Sequence, residues 1–110
     1  MVELFKALAE ENRLRILSLL LQQDLCVCEL EHCLELKQSN ISRHLSVLKR
    51  SGLVESYKDQ QWAYYKISRS LTDEHEQLRS YLDEKLKKLP TFQDDMARIE
   101  TYREHEVCRH

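Results

Sequence analysis

Apolar residues recur at helical spacing along most of this chain, and one interval breaks the rhythm. Leu4, Phe5, Leu8 and Ala9 mark a short first helix, and Leu14, Ile16, Leu17, Leu20 and Leu21 a strongly apolar second one closed by Gln22-Gln23-Asp24. A third helical pattern runs from about Val27 to Leu36, with Leu30 and Leu34 one turn apart. After the polar Lys37-Gln38 a fourth spans Ser39 to Arg50; Ile41, Leu45 and Leu48 face inward, and Ser42, Arg43, Ser46 and Lys49 face out. Ser39 suits the N-cap of that helix, and Gly52, the only glycine, falls where a left-handed residue would stop it.

Past Gly52 the period changes. Leu53–Tyr57 and Trp62–Ile67 are rich in β-formers and flank Lys58-Asp59-Gln60-Gln61, which predicts a two-stranded hairpin without the usual turn glycine. A long helix then resumes from about Thr72 to Leu89 on the stripe Leu71, Leu78, Tyr81, Leu82, Leu86 and Leu89, until Pro90 ends it. A last amphipathic stretch runs from Phe92 to about Glu106. The chain thus reads as mainly α with a small β-hairpin, in five to six helices. The order helix, turn, helix, hairpin, helix is that of a winged helix-turn-helix.

Composition narrows this further. A chain of 110 residues, 42% hydrophobic and 33% charged, reads as one globular domain rather than a disordered one. No apolar run approaches the roughly 20 residues that span a bilayer, and Met1-Val2-Glu3-Leu4 lacks the features of a signal peptide, so a cytoplasmic location without membrane contact is expected. Four cysteines in such a chain read as thiols rather than as a disulfide framework. The net charge of −2 is unevenly spread: from Lys37 to Arg69 seven basic residues face only Glu55 and Asp59, a net +5 inside an acidic remainder. A basic block of that kind is what a phosphate-binding face looks like.

The fourth helix gives the block its chemistry. The second helix of a helix-turn-helix enters the major groove, where exposed side chains meet base edges and phosphates. Here that face offers Gln38, Ser39, Asn40, Ser42, Arg43 and Ser46, with His44 and Lys49 in the same segment and Lys58 on the hairpin. No acidic residue interrupts Gln38–Arg50. Double-stranded DNA is the expected partner.

Glu10–Leu17, Leu25-Cys26-Val27-Cys28-Glu29-Leu30, Gln38–Leu45 and Leu48–Val54 together resemble the ArsR/SmtB family of metal- and metalloid-responsive bacterial repressors. The resemblance covers about residues 3–89. It implies a homodimer built on the first and last helices, bound to a palindromic operator and released by its inducer. On that basis residues 1–89 form the DNA-binding and dimerisation domain and 90–110 a C-terminal helix and tail. The hairpin corresponds to the family's wing, although its tip, Asp59-Gln60-Gln61, is poorer in glycine and basic residues than is usual there.

Cys26-Val27-Cys28 is the candidate inducer site. Thiolates select soft and borderline ions, and trivalent arsenicals behave alike. At i and i+2 in a regular helix the two would point about 200° apart, so sharing one ion requires extended backbone or an unwound helix start. Binding would then deform the helix that positions the reading helix. Relatives with a third cysteine carry it three residues on, where this chain has Glu31; Cys33 is the favoured third ligand, Cys108 an alternative, and a two-thiolate site a further one. The expected inducers are As(III), Sb(III) or an organoarsenical, with Cd and Pb as alternatives. The zinc site of other relatives is half present as Asp73-Glu74-His75, but Leu86 and Leu89 replace its remainder, and His75 reads as a surface residue.

A thiol enzyme, a redox-sensing repressor and a pure interaction module compete with this reading. A phosphatase-like thiol reductase needs an arginine six residues after its cysteine; Cys26, Cys28 and Cys33 are followed there by His32, Leu34 and Ser39, so no enzyme is expected. The nearer competitor is a redox-sensing repressor of the same fold, with Cys26 and Cys28 as its oxidisable pair.

Overall fold

The computed structural model describes residues 1–105, and the most apolar stretch of sequence lies at its centre. After a short helix α1 (Val2–Leu8), helix α2 (Glu11–Leu20) buries Ile16, Leu17, Leu19 and Leu20. Its start is fixed by Glu10, whose carboxylate accepts from the Arg13 N–H at 2.9 Å. Strand β1 (Leu25–Cys26) follows, then α3 (Val27–Leu34), the reading helix α4 (Gln38–Arg50), and the hairpin β2 (Val54–Asp59) and β3 (Trp62–Ile67). Helices α5 (Arg69–Asp73), α6 (Glu76–Leu86) and α7 (Phe92–His105) complete the described chain. The sheet has the order β1-β3-β2, antiparallel throughout, with Leu25 opposite Tyr65 and Asp59 opposite Trp62.

Four details depart from the sequence reading. The described residues contain seven helices rather than five or six, because the long helix expected over 72–89 is two. His75, at φ −128° and ψ 45°, interrupts it. The apolar stripe could not reveal this break, since Thr72–Gln77 carry no apolar residue to mark it. The third strand, β1, is only two residues long, too short for any alternation to show. Helix α4 starts one residue earlier than expected, with Lys37 rather than Ser39 at the N-cap. And the stripe expected along one helix face divides: Leu82 and Leu86 are buried in the protomer's own core, while Tyr81 is exposed on α6.

The stop of α4 and the hairpin are as expected, whereas α3 ends at Leu34 and α6 at Leu86, short of Leu36 and of Pro90. Gly52 has φ +84°, and the chain leaves α4 through the Gly52 N–H to Lys49 carbonyl bond (3.1 Å) and the Leu53 N–H to Leu48 carbonyl bond (3.0 Å). That double closure is a Schellman stop, which glycine adopts without a side-chain penalty. The hairpin turns over Gln60 and Gln61, with Gln60 in the left-handed region at φ 60° that glycine or asparagine usually fills.

Helix α7 packs chiefly on α3 and α2, and its Ile99 joins the core. Asp95 of α7, fully buried, accepts from Arg15 through both oxygens at 3.1 and 2.9 Å and from Arg98 at 2.7 Å. The same two arginines donate to the last carbonyls of α3: Arg98 Nε to Cys33 at 2.5 Å and Arg15 to Leu34 at 3.0 Å. Carbonyls at a helix C-terminus lack intrahelical partners, so this charged knot completes the end of α3 just before the chain enters α4. Among the described residues no helix is long and apolar enough to cross a membrane.

Candidate nucleic-acid interface and thiol site

Helix α3 ends on Glu35, which takes a left-handed φ of 56° and returns its N–H to the Glu31 carbonyl. Three residues, Glu35 to Lys37, then turn the chain into α4. Ile41, Leu45 and Leu48 anchor α4 to the core, which leaves Gln38, Ser39, Ser42, Arg43, Ser46 and Lys49 exposed along one outer face and Asn40 partly so. Asn40 Oδ1 accepts from Arg43 at 3.3 Å, steadying the guanidinium. With no side-chain cap at Lys37, the first N–H groups of α4 remain open to an acceptor such as a phosphate oxygen.

Lys49 and Lys58 carry this face toward the hairpin. Lys49 Nζ donates to Ser56 Oγ of β2 at 2.8 Å, fixing the wing against the reading helix, and Lys58 is exposed on the same strand. His44 departs from the group: it is only 5% exposed and turns inward rather than out. Arg13 lies 3.3 Å from His44 Nδ1; because a guanidinium only donates, Nδ1 accepts and the ring proton sits on Nε2, 3.8 Å from Glu10 Oε2. Burial lowers the His44 pKa, Arg13 and Arg43 lower it further, and Glu10 opposes them. Arg13 also donates to the Ala7 and Lys6 carbonyls at 2.7 and 3.3 Å, so it binds α1 to the reading helix. The sequence reading gave Arg13, Arg15, Asp95 and Arg98 no role. Arg13 and Arg15 do lie in its Glu10–Leu17 motif, but nothing in the spacing pointed to Asp95.

The thiols occupy different environments. Cys26 is buried, extended at φ −91° and ψ 169°, and is both the last residue of β1 and the N-cap of α3. Its N–H donates to Glu29 Oε1 at 2.9 Å while its Sγ faces the Glu29 N–H, a capping box with sulfur in the usual hydroxyl position. Burial pushes the Cys26 thiol above its ordinary range; the Glu29 N–H opposes this and the Glu29 carboxylate adds to it. A soft ion must therefore displace a proton to bind there. Cys28, in the first turn of α3, is disulfide-bonded, whereas the Cys26 thiol is free. The oxidisable pair Cys26–Cys28 is thus not formed. Cys33 is fully buried in the core. Cys108 lies outside the described residues. Among the described residues no three His, Cys, Asp or Glu side chains converge as a metal site.

A reading helix with an acid-free polar face, a turn of three residues before it and a β-wing pinned to its side define a winged helix-turn-helix, the fold of DNA-binding transcriptional regulators. Comparison with known proteins gives the family. Residues 10–56 match the family described as bacterial regulatory protein, arsR family. The chain is 39% identical over 84 residues to the arsenic resistance transcriptional regulator ArsR1 of Pseudomonas putida, covering 76% of this chain and 60% of that one. Among solved structures it is similar to HlyU from Vibrio cholerae, with 40% identity, a TM-score of 0.66, and 81% of this chain and 89% of that one covered. It is also similar to the homodimeric winged helix-turn-helix domain of Mb0332 from Mycobacterium bovis, with 30% identity, a TM-score of 0.64 and coverage of 78% and 81%. The protein belongs to the ArsR family. It spans about three fifths of the length of the curated relatives ArsR1, the Vibrio cholerae activator HlyU and the Escherichia coli arsenical resistance operon repressor.

Proposed function

We propose that the protein is a homodimeric, cytoplasmic repressor that binds operator DNA through α4 and releases it when a trivalent arsenical or antimonial bridges Cys26 and Cys28. Cd and Pb are alternative inducers. Gln38, Ser39, Asn40, Ser42, Arg43, Ser46 and Lys49 face the DNA, with Lys58 on the wing; His44 acts from behind, by holding α4 on Arg13. The single observation that carries the inducer reading is the extended backbone of Cys26 where it joins α3. It removes the helical geometry that would hold the two sulfurs about 200° apart. Similarity to arsenic resistance regulators supports the choice of ion. The homodimer draws support from Mb0332 and from the exposure of the apolar Met1, Val2 and Phe5 in the N-terminal segment and of Tyr81 on α6.

The donor set suits two-sulfur chelation of an arsenical with two exchangeable bonds, once Cys28 is reduced. A third bond to Cys33 would require drawing that side chain from the core, and one to Cys108 would come from beyond the described residues. Operator release by arsenite from reduced protein, measured by fluorescence anisotropy in single Cys→Ser variants, tests the assignment. A second reading has its own observation: Cys28 is oxidised here, and HlyU has been solved in a form named as reduced. In that reading the thiol state of Cys28 controls DNA binding. Release by peroxide, with no response to arsenite, would select it.

A further inference from the structure

Where the C-terminal end of α2, the end of β3, α5 and the start of α6 meet, they line an open pocket of about 500 Å³. Its size falls in the range of small-molecule sites. Asp24, Lys66, Arg69, Asp73 and Arg79 supply its charges. Two of them are already engaged: Asp24 accepts from the Tyr57 hydroxyl at 2.7 Å, and Lys66 leans toward Glu55 at 3.8 Å. Arg69, Asp73 and Arg79 have no side-chain partner among the described residues, and the buried Nε of Arg79 has no acceptor there. Two uncommitted guanidinium groups against one carboxylate leave the cavity with one positive charge in excess. A buried N–H donor without an acceptor, in a residue that lines this pocket, calls for an acceptor that carries negative charge.

We propose that this cavity is a binding site for a small oxyanion, phosphate or carboxylate, held by Arg69 and Arg79. The site is separate from the thiols and from the reading face, and the inference does not rest on the function proposed above. An occupant would brace the base of the wing against α2 and α6. Lys66 lies on a wing strand, and Asp24 is bonded to the other strand through Tyr57.

The test is a two-dimensional amide NMR titration of the full chain with inorganic phosphate and, separately, acetate, which distinguishes the two kinds of oxyanion. At least one should give saturable shifts at the Lys66, Arg69 and Arg79 amides, with binding about tenfold weaker in Arg79→Gln or Arg69→Gln. Arg43→Ala, which alters only the reading face, should bind as tightly as the parent. The spectra themselves show whether each variant folds; Arg69, being exposed, provides the variant least disturbing to the fold. Shifts that fail to saturate with both anions, or undiminished binding in both cavity variants, would overturn the proposal. So would binding lost in Arg43→Ala.

Discussion

Cys26 and Tyr64 stand opposite each other across the β1–β3 ladder, so the first thiol is in register with the wing. The link continues outward. Tyr64 stacks on Tyr57 with ring centroids 5.7 Å apart, and the Tyr57 hydroxyl returns to Asp24, two residues before Cys26. That hydrogen bond is the main reason the Tyr57 pKa is pushed up to about 12. A ligand that moves Cys26 therefore pulls on two elements of the DNA-binding unit: the start of α3 and the wing.

Tyr57→Phe should loosen this loop without unfolding the protein. The net loss is expected at about 0.5–1.5 kcal/mol, toward the lower end because the ring is partly exposed. Hydrogen exchange should quicken at the amides of β1 and β3. Unchanged exchange in both strands would show that the tyrosine pair does not tie them together.

Arg43→Ala should weaken DNA binding by roughly 1–3 kcal/mol, with an unchanged melting temperature, since Arg43 is exposed and its bond to Asn40 is local. Lys49→Ala should lower affinity more uniformly across sequences and reduce the salt dependence by about one ion. Full affinity in a folded Arg43→Ala protein would remove α4 from the interface.

Asp95→Ala should be among the most destabilising single substitutions. It strands Arg15 and Arg98 and loosens the end of α3. Breaking a buried ion pair costs about 3–5 kcal/mol, and partial exposure of both arginines brings the expectation to roughly 2–4 kcal/mol. Urea unfolding measures it directly. A loss within about 0.5 kcal/mol would show that α7 adds little to the fold.

His44 sets a pH dependence. Its folded pKa lies below the unfolded value, so folding favours the neutral ring. Its stabilising contribution is complete above about pH 6.5 and declines as the pH falls from there toward the lowered folded value. Urea midpoints between pH 5 and 8 should fall more steeply on the acid side in the parent than in His44→Gln. Parallel curves would contradict this assignment.

Much of this architecture was legible in the chain because its helices carry dense, regular apolar stripes. Gly52 was legible for a different reason: as the only glycine it had one reasonable use, the stop of α4. What the chain concealed was chiefly long-range or very short. Strand β1 exists only because Leu25 and Cys26 pair with Tyr65 and Tyr64, some forty residues away. Asp95 is an ordinary acidic residue in sequence, and it becomes central only when α7 folds back onto Arg15, eighty positions earlier. His44 sits in sequence among residues expected to face DNA, but helical rotation turns it to the inner face with Ile41, Leu45 and Leu48. On the thiols, the sequence posed a geometric requirement, extended backbone at the start of α3, and Cys26 meets it.

The central claim is that Cys26 and Cys28 hold the inducer, and operator release from reduced single-cysteine variants tests it most directly. Cys26→Ser and Cys28→Ser should each bind operator like the parent, since serine preserves the cap and the turn, yet remain bound when arsenite is added. Cys33→Ser and Cys108→Ser then report the third ligand: loss of response in one alone names it, and full response in both indicates two-sulfur chelation. If Cys26→Ser and Cys28→Ser both release operator at the arsenite concentration that releases the parent, the inducer site is not at these cysteines.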